Sequence, residues 1–330
     1  MIPNSQLDFT VAICTYNGEH RIPEVLACLS WQLHTQDVRW EVLVVDNNSN
    51  DNTADVVRQH QQSWPGSQKL HYVFEANQGA GYARQKAISV ARSPWIGFLD
   101  DDNLPALTWV HEAVKFAQTH PKVGVFGSRI RGVFDGETPA NFDRVAQFLA
   151  LIDRGNSPLL YDPDKKVLPP GAGMVIRREA WQENVPSTPL LTGRTAKSML
   201  TGEDLEAVLH IQQSGWEVWY NPAMYVEHKI PQSRLTQKYL TSLMRGIGLS
   251  RHRTRMLSVH PWQRPFMFWA YSLNDVRKIA VHFAKHQSKV WTDAVTASEM
   301  TLYCYSLISP YYLWWQLLKR TWSRDRAPAT

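Results

Sequence analysis

The chain has 330 residues, 44% of them hydrophobic and 20% charged, so it can bury one large core or two modest ones. Its net charge of +5 comes from 35 Lys and Arg against 30 Asp and Glu, which is compatible with anionic membranes or nucleotide phosphates but argues against nucleic acid as a partner. Its three cysteines (Cys14, Cys28, Cys304) exclude a disulfide framework or zinc motif and, with a start that is neither basic nor apolar, predict a cytoplasmic protein without a signal peptide.

Apolar runs and helical patterns alternate through the first hundred residues. The predicted strands are residues 9–14, 40–46, 70–74 and 95–99, and the predicted helices between them are residues 21–31, 52–62 and 81–91. This alternation predicts an α/β fold, with a Rossmann-like, mostly parallel sheet and helices on both faces. Ligands of such sheets bind at the carboxyl ends of the strands.

The pattern is less regular beyond residue 105. We predict a helix at 107–119, a strand at 123–128, a loop rich in Pro and Asp at 153–170, a strand at 171–176 and a helix at 204–214 that ends at Gly215. This half of the domain is expected to shape the pocket of a second substrate.

The last hundred residues are rich in aromatic side chains. Residues 300–318 carry no charge, but they are too polar and too aromatic for a confident membrane span. A segment lying in the membrane interface, with a contribution from residues 265–271, is one interpretation. An ordinary buried amphipathic helix is the other.

Three consecutive carboxylates follow the fourth predicted strand, at Asp100, Asp101 and Asp102. Adjacent acids repel one another, so they persist most easily where a divalent cation offsets their charge. If the strand continues, Asp100 and Asp102 point the same way. Carboxylate oxygens suit Mg²⁺ or Mn²⁺ that bridges to phosphate, although a solvated acidic turn is the simpler alternative.

Two further polar clusters follow the first and second strands. They are Thr15-Tyr16-Asn17 and Asp46-Asn47-Asn48-Ser49. Because the strands are predicted to be parallel, both clusters should lie at the edge of the sheet that carries the triplet. The second cluster is also typical of a capped loop that leads into a helix.

Five ordered blocks resemble the family 2 glycosyltransferases of the GT-A fold. The blocks are Val11 to Asn17, Val44 to Ser49 followed by Asp51, Asn77-Gln78-Gly79 with Ala83-Arg84, Phe98 to Asp102, and Gly202-Glu203-Asp204. Residues 168–173, 202–207 and 219–222 are most similar to the cyanobacterial hormogonium-polysaccharide type. The resemblance implies a nucleoside-diphosphate sugar as donor substrate and Mn²⁺ or Mg²⁺ as cofactor, held at the DXD motif.

The resemblance also implies roles for individual residues. Asp102 would bind the metal, Asp100 would face the ribose, and Asp101 would hold the metal's waters or only shape the turn. Asp46 and Asn47 would contact the base and ribose, above the loop of Thr15, Tyr16 and Asn17. Asn47 stands where the family often has a second acid.

Five residues outside these clusters complete the predicted site. By resemblance Asp204 is the base that deprotonates the acceptor, with Glu203 supporting it or binding acceptor, although the pair alone would suit a helix N-terminus. Arg84 is placed to reach a diphosphate or to hold the acidic loop. His228 is a candidate third metal ligand, and Arg234 a candidate diphosphate clamp on a mobile segment.

These observations predict a GT-A domain with a nucleotide-sugar-binding half (1–105), an acceptor-binding half (106–235) and a helical extension (236–330). The predicted function is an inverting, metal-dependent transfer of sugar to a saccharide or lipid-linked acceptor, at the inner face of the membrane, in surface or extracellular polysaccharide biosynthesis. A phosphohydrolase that uses Asp100 as nucleophile and a non-catalytic membrane-docked scaffold are the alternatives.

Overall fold

A computed structural model describes residues 7–65, 68–163, 165, 167–188, 190–195 and 199–324. Residues 1–6, which belong to the segment examined for a signal peptide, and two positions of the loop predicted at 153–170 lie outside this part. The chain divides into two compact units. Unit 1 comprises Met1–Gly136, Ala146–Thr192 and Glu203–Pro231, and unit 2 comprises Glu137–Val145, Gly193–Gly202 and Gln232–Thr330. The three-part division at residues 105 and 235 stays a prediction.

Unit 1 is built on one sheet. Its strands are β1 (Phe9–Thr15), β2 (Trp40–Asp46), β3 (Lys69–Phe74), β4 (Trp95–Asp100), β5 (Asn103–Pro105), β6 (Val123–Phe134), β7 (Leu159–Leu160), β8 (Met174–Arg177) and β9 (Glu217–Ile230). They lie in the order β3-β2-β1-β4-β8-β6-β9-β5, with β7 beside β9. The first four strands are parallel, and β8 pairs antiparallel with both β4 and β6.

Helices cover both faces of this sheet. They are α1 (Ile22–Ser30), α2 (Thr53–Gln62), α3 (Ala80–Val90), α4 (Trp109–Thr119), α5 (Arg178–Asn184) and α6 (Glu203–Gln213). Alternate residues of β1 pack in different cores, because successive side chains of a strand point to opposite faces. Phe9, Val11 and Ile13 join the core with α1 and α4, whereas Ala12 joins the core with α3 and α6. The predicted α/β architecture is confirmed.

Several predicted boundaries are wrong in the second half of unit 1. Strand β6 continues to Phe134 instead of ending at Ser128, because its second half pairs with β9 beyond an irregularity at Ser128. Strand β8 begins at Met174 rather than at residue 171, because Gly173 has a φ of +63° and turns the chain. The predicted loop at 153–170 contains the short strand β7.

Unit 2 consists mainly of helices in its described part. Its long helices are α7 (Gln237–Leu257), α8 (Arg264–His286) and α10 (Ala294–Arg324), with the short α9 (Lys289–Thr292) between the last two. Helix α7 lies close against α10, where a Cβ added at Gly248 would come within 2.7 Å of the Tyr305 Cβ. None of the helices in the described ranges is both long enough and apolar enough to cross a membrane.

Residues 300–318 lie within α10 and show features of both a buried amphipathic helix and an interfacial segment. Met300, Leu302 and Leu313 are buried, which fits a packed amphipathic helix. Tyr311 and Trp314 are exposed, as an interfacial segment would require.

Gly97 of β4 lies where an added side chain would collide with core aromatic rings. A Cβ added at Gly97 would lie 2.5 Å from Cη2 of Trp109 and 2.7 Å from Cζ of Phe9, both fully buried. We expect Gly97→Ala to lower the free energy of unfolding by about 1–3 kcal/mol in urea denaturation, because the rings must move. Gly81→Ala is the control, since its Cβ would meet no atom closer than 3.4 Å. An equal loss of stability in both variants would contradict the packing argument.

Candidate active site

The parallel strands bring the predicted polar clusters to one edge of the sheet. In the register of β1, Thr15 lies beside Asp46 of β2, and Cys14 lies beside Asp100 of β4. The amide of Asn47 donates to the carbonyl of Thr15 at 2.8 Å, which joins the loops after β1 and β2. This edge therefore holds the carboxyl ends of three strands, where ligands of parallel sheets bind.

The three carboxylates of the triplet contact three different sets of partners. Strand β4 ends at Asp100, and the next two residues form a turn before β5, so the alternation expected for a continuing strand does not apply. Asn103 shapes this turn, because its Oδ1 accepts the Asp100 amide at 3.0 Å and its Nδ2 donates to Asp102 Oδ1 at 3.1 Å. Asn103 is fully buried and was not predicted as a site residue.

Asp101 is held by a neighbouring arginine and a threonine. Arg21 donates from Nε to Oδ1 at 2.7 Å and from Nη2 to Oδ2 at 2.9 Å, a bidentate pair. Thr15 Oγ1 also donates to Oδ2, at 2.5 Å. The buried Asp101 thus connects the turn to the loop after β1. Of the two roles considered for this residue, these contacts favour shaping the turn over holding the waters of a metal.

Asp102 faces a histidine of strand β9. The Nε2 of His228 lies 3.4 Å from Asp102 Oδ1, and both side chains are buried. The Nδ1 of His228 lies 3.0 Å from the carbonyl oxygen of Leu149. Because a carbonyl only accepts, Nδ1 donates to Leu149, and Nε2 is the ring nitrogen that faces Asp102.

The chemistry of this pair fits a divalent cation. A carboxylate oxygen suits Mg²⁺ or Mn²⁺, and an imidazole nitrogen favours a transition-metal ion such as Mn²⁺ over Mg²⁺. A ligating histidine ordinarily donates its other N–H to a carbonyl or carboxylate, as His228 does. Within the described ranges no group of three or more His, Cys, Asp or Glu side chains is arranged to hold a metal. One or two carboxylate ligands are usual where a divalent cation such as Mg²⁺ also binds substrate phosphates and water.

Arg84 connects the acidic triplet to the second acidic pair. Its Nη1 donates to Glu203 Oε1 at 2.9 Å, and its Nη2 lies 3.6 Å from Asp100 Oδ1. The guanidinium is buried; burial lowers its pKa, but Glu203, Asp100 and Asp204 together raise it. Arg84 therefore remains charged and joins two constellations about a hundred residues apart in the sequence. These contacts favour the bracing alternative, and a contact with a diphosphate stays a prediction.

Asp204 and Glu203 begin helix α6. Asp204 Oδ2 accepts the amide of Gly171 at 2.7 Å, and its Oδ1 accepts the amide of Leu205 at 2.7 Å, so the carboxylate is fixed in place. Burial and then the charge of Asp204 raise the pKa of Glu203. Among the described side chains, Glu203 Oε2 and Arg84 Nε are buried without a hydrogen-bond partner. The backbone amides hold Asp204 and the guanidinium of Arg84 holds Glu203, and the role of Asp204 as the base stays a prediction.

A side chain added at Gly171 would disrupt this arrangement. A Cβ there would come within 2.7 Å of Arg84 Cζ and 3.1 Å of Asp204 Oδ2. The glycine is therefore needed for close packing between the loop before β8 and the acidic cluster. The sequence contained this residue in a recognised block, but no pattern showed which atoms it would meet.

Asp46 and Asn47 are buried and hold the surrounding loops. Asp46 accepts the amide of Ser49 at 2.9 Å and the hydroxyl of Tyr72 at 2.8 Å. Burial, then the hydrogen bond to Asp46, raises the pKa of Tyr72 to about 12, so the hydroxyl stays a donor. Asn47 Nδ2 donates to the carbonyl of Asn77, and its Oδ1 accepts the amide of Gly79, each at 2.6 Å. Both side chains therefore hold loops at this edge of the sheet, whereas Asn52, the N-cap of α2, makes no side-chain cap bond. Contacts of Asp46 and Asn47 with a base or ribose stay predictions.

This bonding predicts the effect of the acid that the family often has at this position. Asn47→Asp keeps an acceptor for Gly79 but replaces a donor with a carboxylate oxygen that faces the Asn77 carbonyl. We expect the free energy of unfolding to fall by about 1–3 kcal/mol, measured in urea. Asn48→Asp is the matched control, because Asn48 Nδ2 donates to the carbonyl of Ala76 at the longer distance of 3.2 Å and in an exposed setting. A variant at position 47 as stable as this control would refute the bracing role.

The remaining predicted residues lie at the edge of the site or in unit 2. Tyr16 is half-buried, and the exposed Asn17 has a φ of +51° and bonds through its amide to Ser49 Oγ at 2.9 Å. Arg234 belongs to the short 3₁₀ helix Gln232–Leu235 of unit 2, so its role as a diphosphate clamp stays a prediction.

The fold defined by this sheet and these helices is that of known glycosyltransferases. Over 95% of the chain and 89% of the other protein, it matches the mannosyltransferase PcManGT of Pyrobaculum calidifontis, solved with GDP-Man and Mn²⁺, with a TM-score of 0.59 and 19% identity. A structure of TarS residues 1–349 from S. aureus with UDP gives a TM-score of 0.52 at 16% identity, over 93% and 91% of the two chains. The predicted GT-A fold is confirmed.

The chain belongs to glycosyl transferase family 2, whose model matches residues 10–183. The uncharacterized glycosyltransferase alr2836 of Nostoc sp. is 28% identical over 56% of the chain, and the match spans about half (55%) of that relative's length. The succinoglycan biosynthesis protein ExoM of Rhizobium meliloti is 22% identical, over 72% of each chain. The family predicted from the five blocks is confirmed, and the relative from Nostoc is consistent with the narrower resemblance.

Proposed function

We propose that the chain is a metal-dependent, inverting glycosyltransferase that moves one sugar from a nucleoside diphosphate to a saccharide or lipid-linked acceptor. The observation that carries the proposal is the buried guanidinium of Arg84, which contacts Asp100 on one side and Glu203 on the other. The positive charge of Arg84 thereby holds Asp100, on the donor side, close to the pair Glu203 and Asp204, which contains the candidate base. Membership of glycosyl transferase family 2 supports the reaction class.

On the donor side, Asp102 and His228 are the residues that would hold the cation. Bound there, Mn²⁺ or Mg²⁺ would supply Lewis-acid stabilisation of the charge that develops on the departing diphosphate. Asp101 keeps the turn in place through Arg21 and Thr15. Asp100 has a side chain that is 42% exposed, so it is accessible to the ribose of a nucleotide.

On the acceptor side, inversion requires one base opposite the leaving group. Asp204 would take the proton of the acceptor hydroxyl as that oxygen bonds to the anomeric carbon and the bond to diphosphate breaks. The amide of Gly171 orients the carboxylate before the acceptor arrives. Glu203, bonded to Arg84, would position Asp204 rather than compete with it for the proton.

The biological setting is part of the same proposal. ExoM, which matches over most of the chain, takes part by its name in succinoglycan biosynthesis. We therefore infer a role in surface or extracellular polysaccharide assembly, with the reaction at the inner face of the membrane, where a lipid-linked acceptor would reside.

A screen of nucleotide sugars tests this function. The full chain is incubated with UDP-, GDP- and dTDP-sugars, with Mn²⁺ or with EDTA, and release of nucleoside diphosphate is measured. We expect one donor class to be hydrolysed only with the metal present. A flat response across all donors would contradict the function, and phosphatase activity without donor hydrolysis would favour the phosphohydrolase alternative.

A further inference from the structure

Helix α8 has its polarity reversed relative to a helix that packs on a protein core in water. The two buried side chains of this 23-residue helix are those of Asp275 and His282. Its large apolar side chains point outwards: Phe266 is 73%, Trp269 is 71% and Leu273 is 73% exposed. A surface helix normally turns its apolar stripe to the core and its charges to solvent.

The inward polar side chains have specific partners within unit 2. Arg255 of α7 donates to both carboxylate oxygens of Asp275, at 2.5 and 2.8 Å, and its guanidinium lies over the Tyr271 ring. His282 Nε2 lies 3.0 Å from the carbonyl oxygen of Thr296. These bonds fix which face of α8 is turned inwards, so the exposed apolar face follows from a specific arrangement.

The outward apolar residues form one continuous stripe along the helix. Phe266, Trp269, Leu273, Val276 and Phe283 recur at steps of three, four or seven residues, which places them on one face. Contiguous exposed apolar surface of this kind is typical of a site that contacts another molecule or a membrane. Aromatic side chains at its start suit the boundary between lipid headgroups and acyl chains.

The charge of this part of the chain indicates what covers the stripe. Residues 232–330 contain fifteen Lys and Arg but four Asp and Glu, whereas residues 1–231 contain twenty Lys and Arg and twenty-six Asp and Glu. The exposed charged residues of α8 are Arg264, Arg277 and Lys285, all basic. A second copy of the helix would bring these cations together without an exposed acid on α8 to pair with them. An anionic bilayer complements them.

The acids of this region do not offset its positive charge at the surface of α8. Asp275 is buried against Arg255, Glu299 pairs with Arg144, and Asp293 accepts the amide of Thr296 at 2.8 Å. The fourth acid, Asp325, lies outside the described residues. The exposed face of α8 therefore combines an apolar stripe with basic residues.

We propose that the outward face of α8 docks this protein on an anionic phospholipid bilayer, with the stripe lying in the interface. This docking deepens the proposed function and rests on it in one respect, because a lipid-linked acceptor is the reason that the protein would need a membrane. The principal membrane contact is thereby placed on α8 and not on residues 300–318. The proposed contact is peripheral, with α8 lying in the plane of the interface.

Vesicle flotation of the full chain tests the proposal. We expect binding to vesicles of phosphatidylcholine mixed with phosphatidylglycerol, and a loss of about tenfold or more in Trp269→Ser/Leu273→Ser, because two exposed anchors are removed. The control is Trp31→Ser/Leu33→Ser, which removes an equally exposed tryptophan (72%) and a half-exposed leucine (46%) from unit 1. Arg264→Gln/Arg277→Gln/Lys285→Gln should weaken binding to the anionic vesicles but not to pure phosphatidylcholine.

Three outcomes would overturn the proposal. They are no binding by the wild type, equal losses in the α8 and control variants, and a wild-type oligomer that the α8 variant dissociates while vesicle binding stays the same. Thermal unfolding of each variant checks that unit 2 is intact. Donor hydrolysis in vesicle-free buffer is measured on the same samples. A chain that hydrolyses donor but ignores vesicles refutes only the docking, and one that binds vesicles without hydrolysis refutes only the glycosyltransferase activity.

Discussion

Asp102→Asn is expected to reduce metal-dependent glycosyl transfer by about a thousandfold or more, since each tenfold in rate corresponds to only about 1.4 kcal/mol of lost transition-state stabilisation. The substitution keeps the size of the side chain and an oxygen for Asn103 Nδ2, but removes the charge that faces His228. The measurement is kcat against Mn²⁺ concentration, together with thermal unfolding to show that the fold is retained.

The neighbouring acid provides the control for this prediction. Asp101 has similar burial, but its oxygens are occupied by Arg21 and Thr15. We expect Asp101→Asn to lower stability while leaving the Mn²⁺ concentration for half-maximal rate within about twofold. His228→Gln should raise that concentration about 10- to 100-fold, the range found when groups that support a metal are lost. A fully active Asp102→Asn enzyme would contradict the proposed role of Asp102 in holding the metal.

Asp204→Asn is expected to lower transfer by about a hundredfold to ten-thousandfold, the usual contribution of a positioned general base. The single side-chain oxygen of asparagine can accept the Gly171 amide or the Leu205 amide but not both, so thermal unfolding is measured to show that the variant keeps its fold while the proton acceptor is lost. Binding of nucleotide in the presence of Mn²⁺, measured by calorimetry, should be unchanged. This separates a defect in the acceptor half of the reaction from one in the donor half.

A second acid of the same helix is the matched control. Glu206 is buried in α6 and accepts the amide of Leu191 at 3.0 Å. We expect Glu206→Gln to retain transfer within a few-fold, because this bond can still be made by an amide oxygen. Equal losses at positions 204 and 206 would show that the helix start, rather than a base, is what transfer requires.

The first half of the fold could be predicted because its signals are local. Strand β2 has the predicted bounds of Trp40 and Asp46, since a continuous apolar run there ends in polar turn residues. Strand β9 (Glu217–Ile230) was not among the predicted strands, because Asn221-Pro222, which favour turns, interrupt its run of apolar residues. Its order in the sheet, between β6 and β5, depends on contacts distant in sequence.

Helix α7 shows how a local rule can mislead. Gly246 and Gly248 weaken a helical pattern in sequence, yet both lie inside a 21-residue helix. The structure supplies the reason, because the absent side chain of Gly248 allows close approach to Tyr305 and Leu302 of α10. The gain from packing between helices is invisible in the local sequence.

The site was predicted to the extent that parallel strands bring their ends together. From the sequence alone, that rule places Thr15, Asp46 and the triplet at one edge, where the strand pairing puts them. It did not reveal Arg21 or Asn103, whose contacts depend on the turn at residues 101–102. Nor did it show that Arg84 would join Asp100 to Glu203, because Arg84 and Glu203 are 119 residues apart in the sequence.

The most direct test of the central claim is the product of the wild-type reaction, examined by proton NMR. The enzyme is incubated with the donor found in the screen, an acceptor and Mg²⁺, and the anomeric coupling of the transferred sugar is compared with that of the donor. We expect the anomeric configuration of the transferred sugar to be inverted relative to the donor, and the product to form only with the metal present. A product of retained configuration, or the same product in excess EDTA, would contradict that claim.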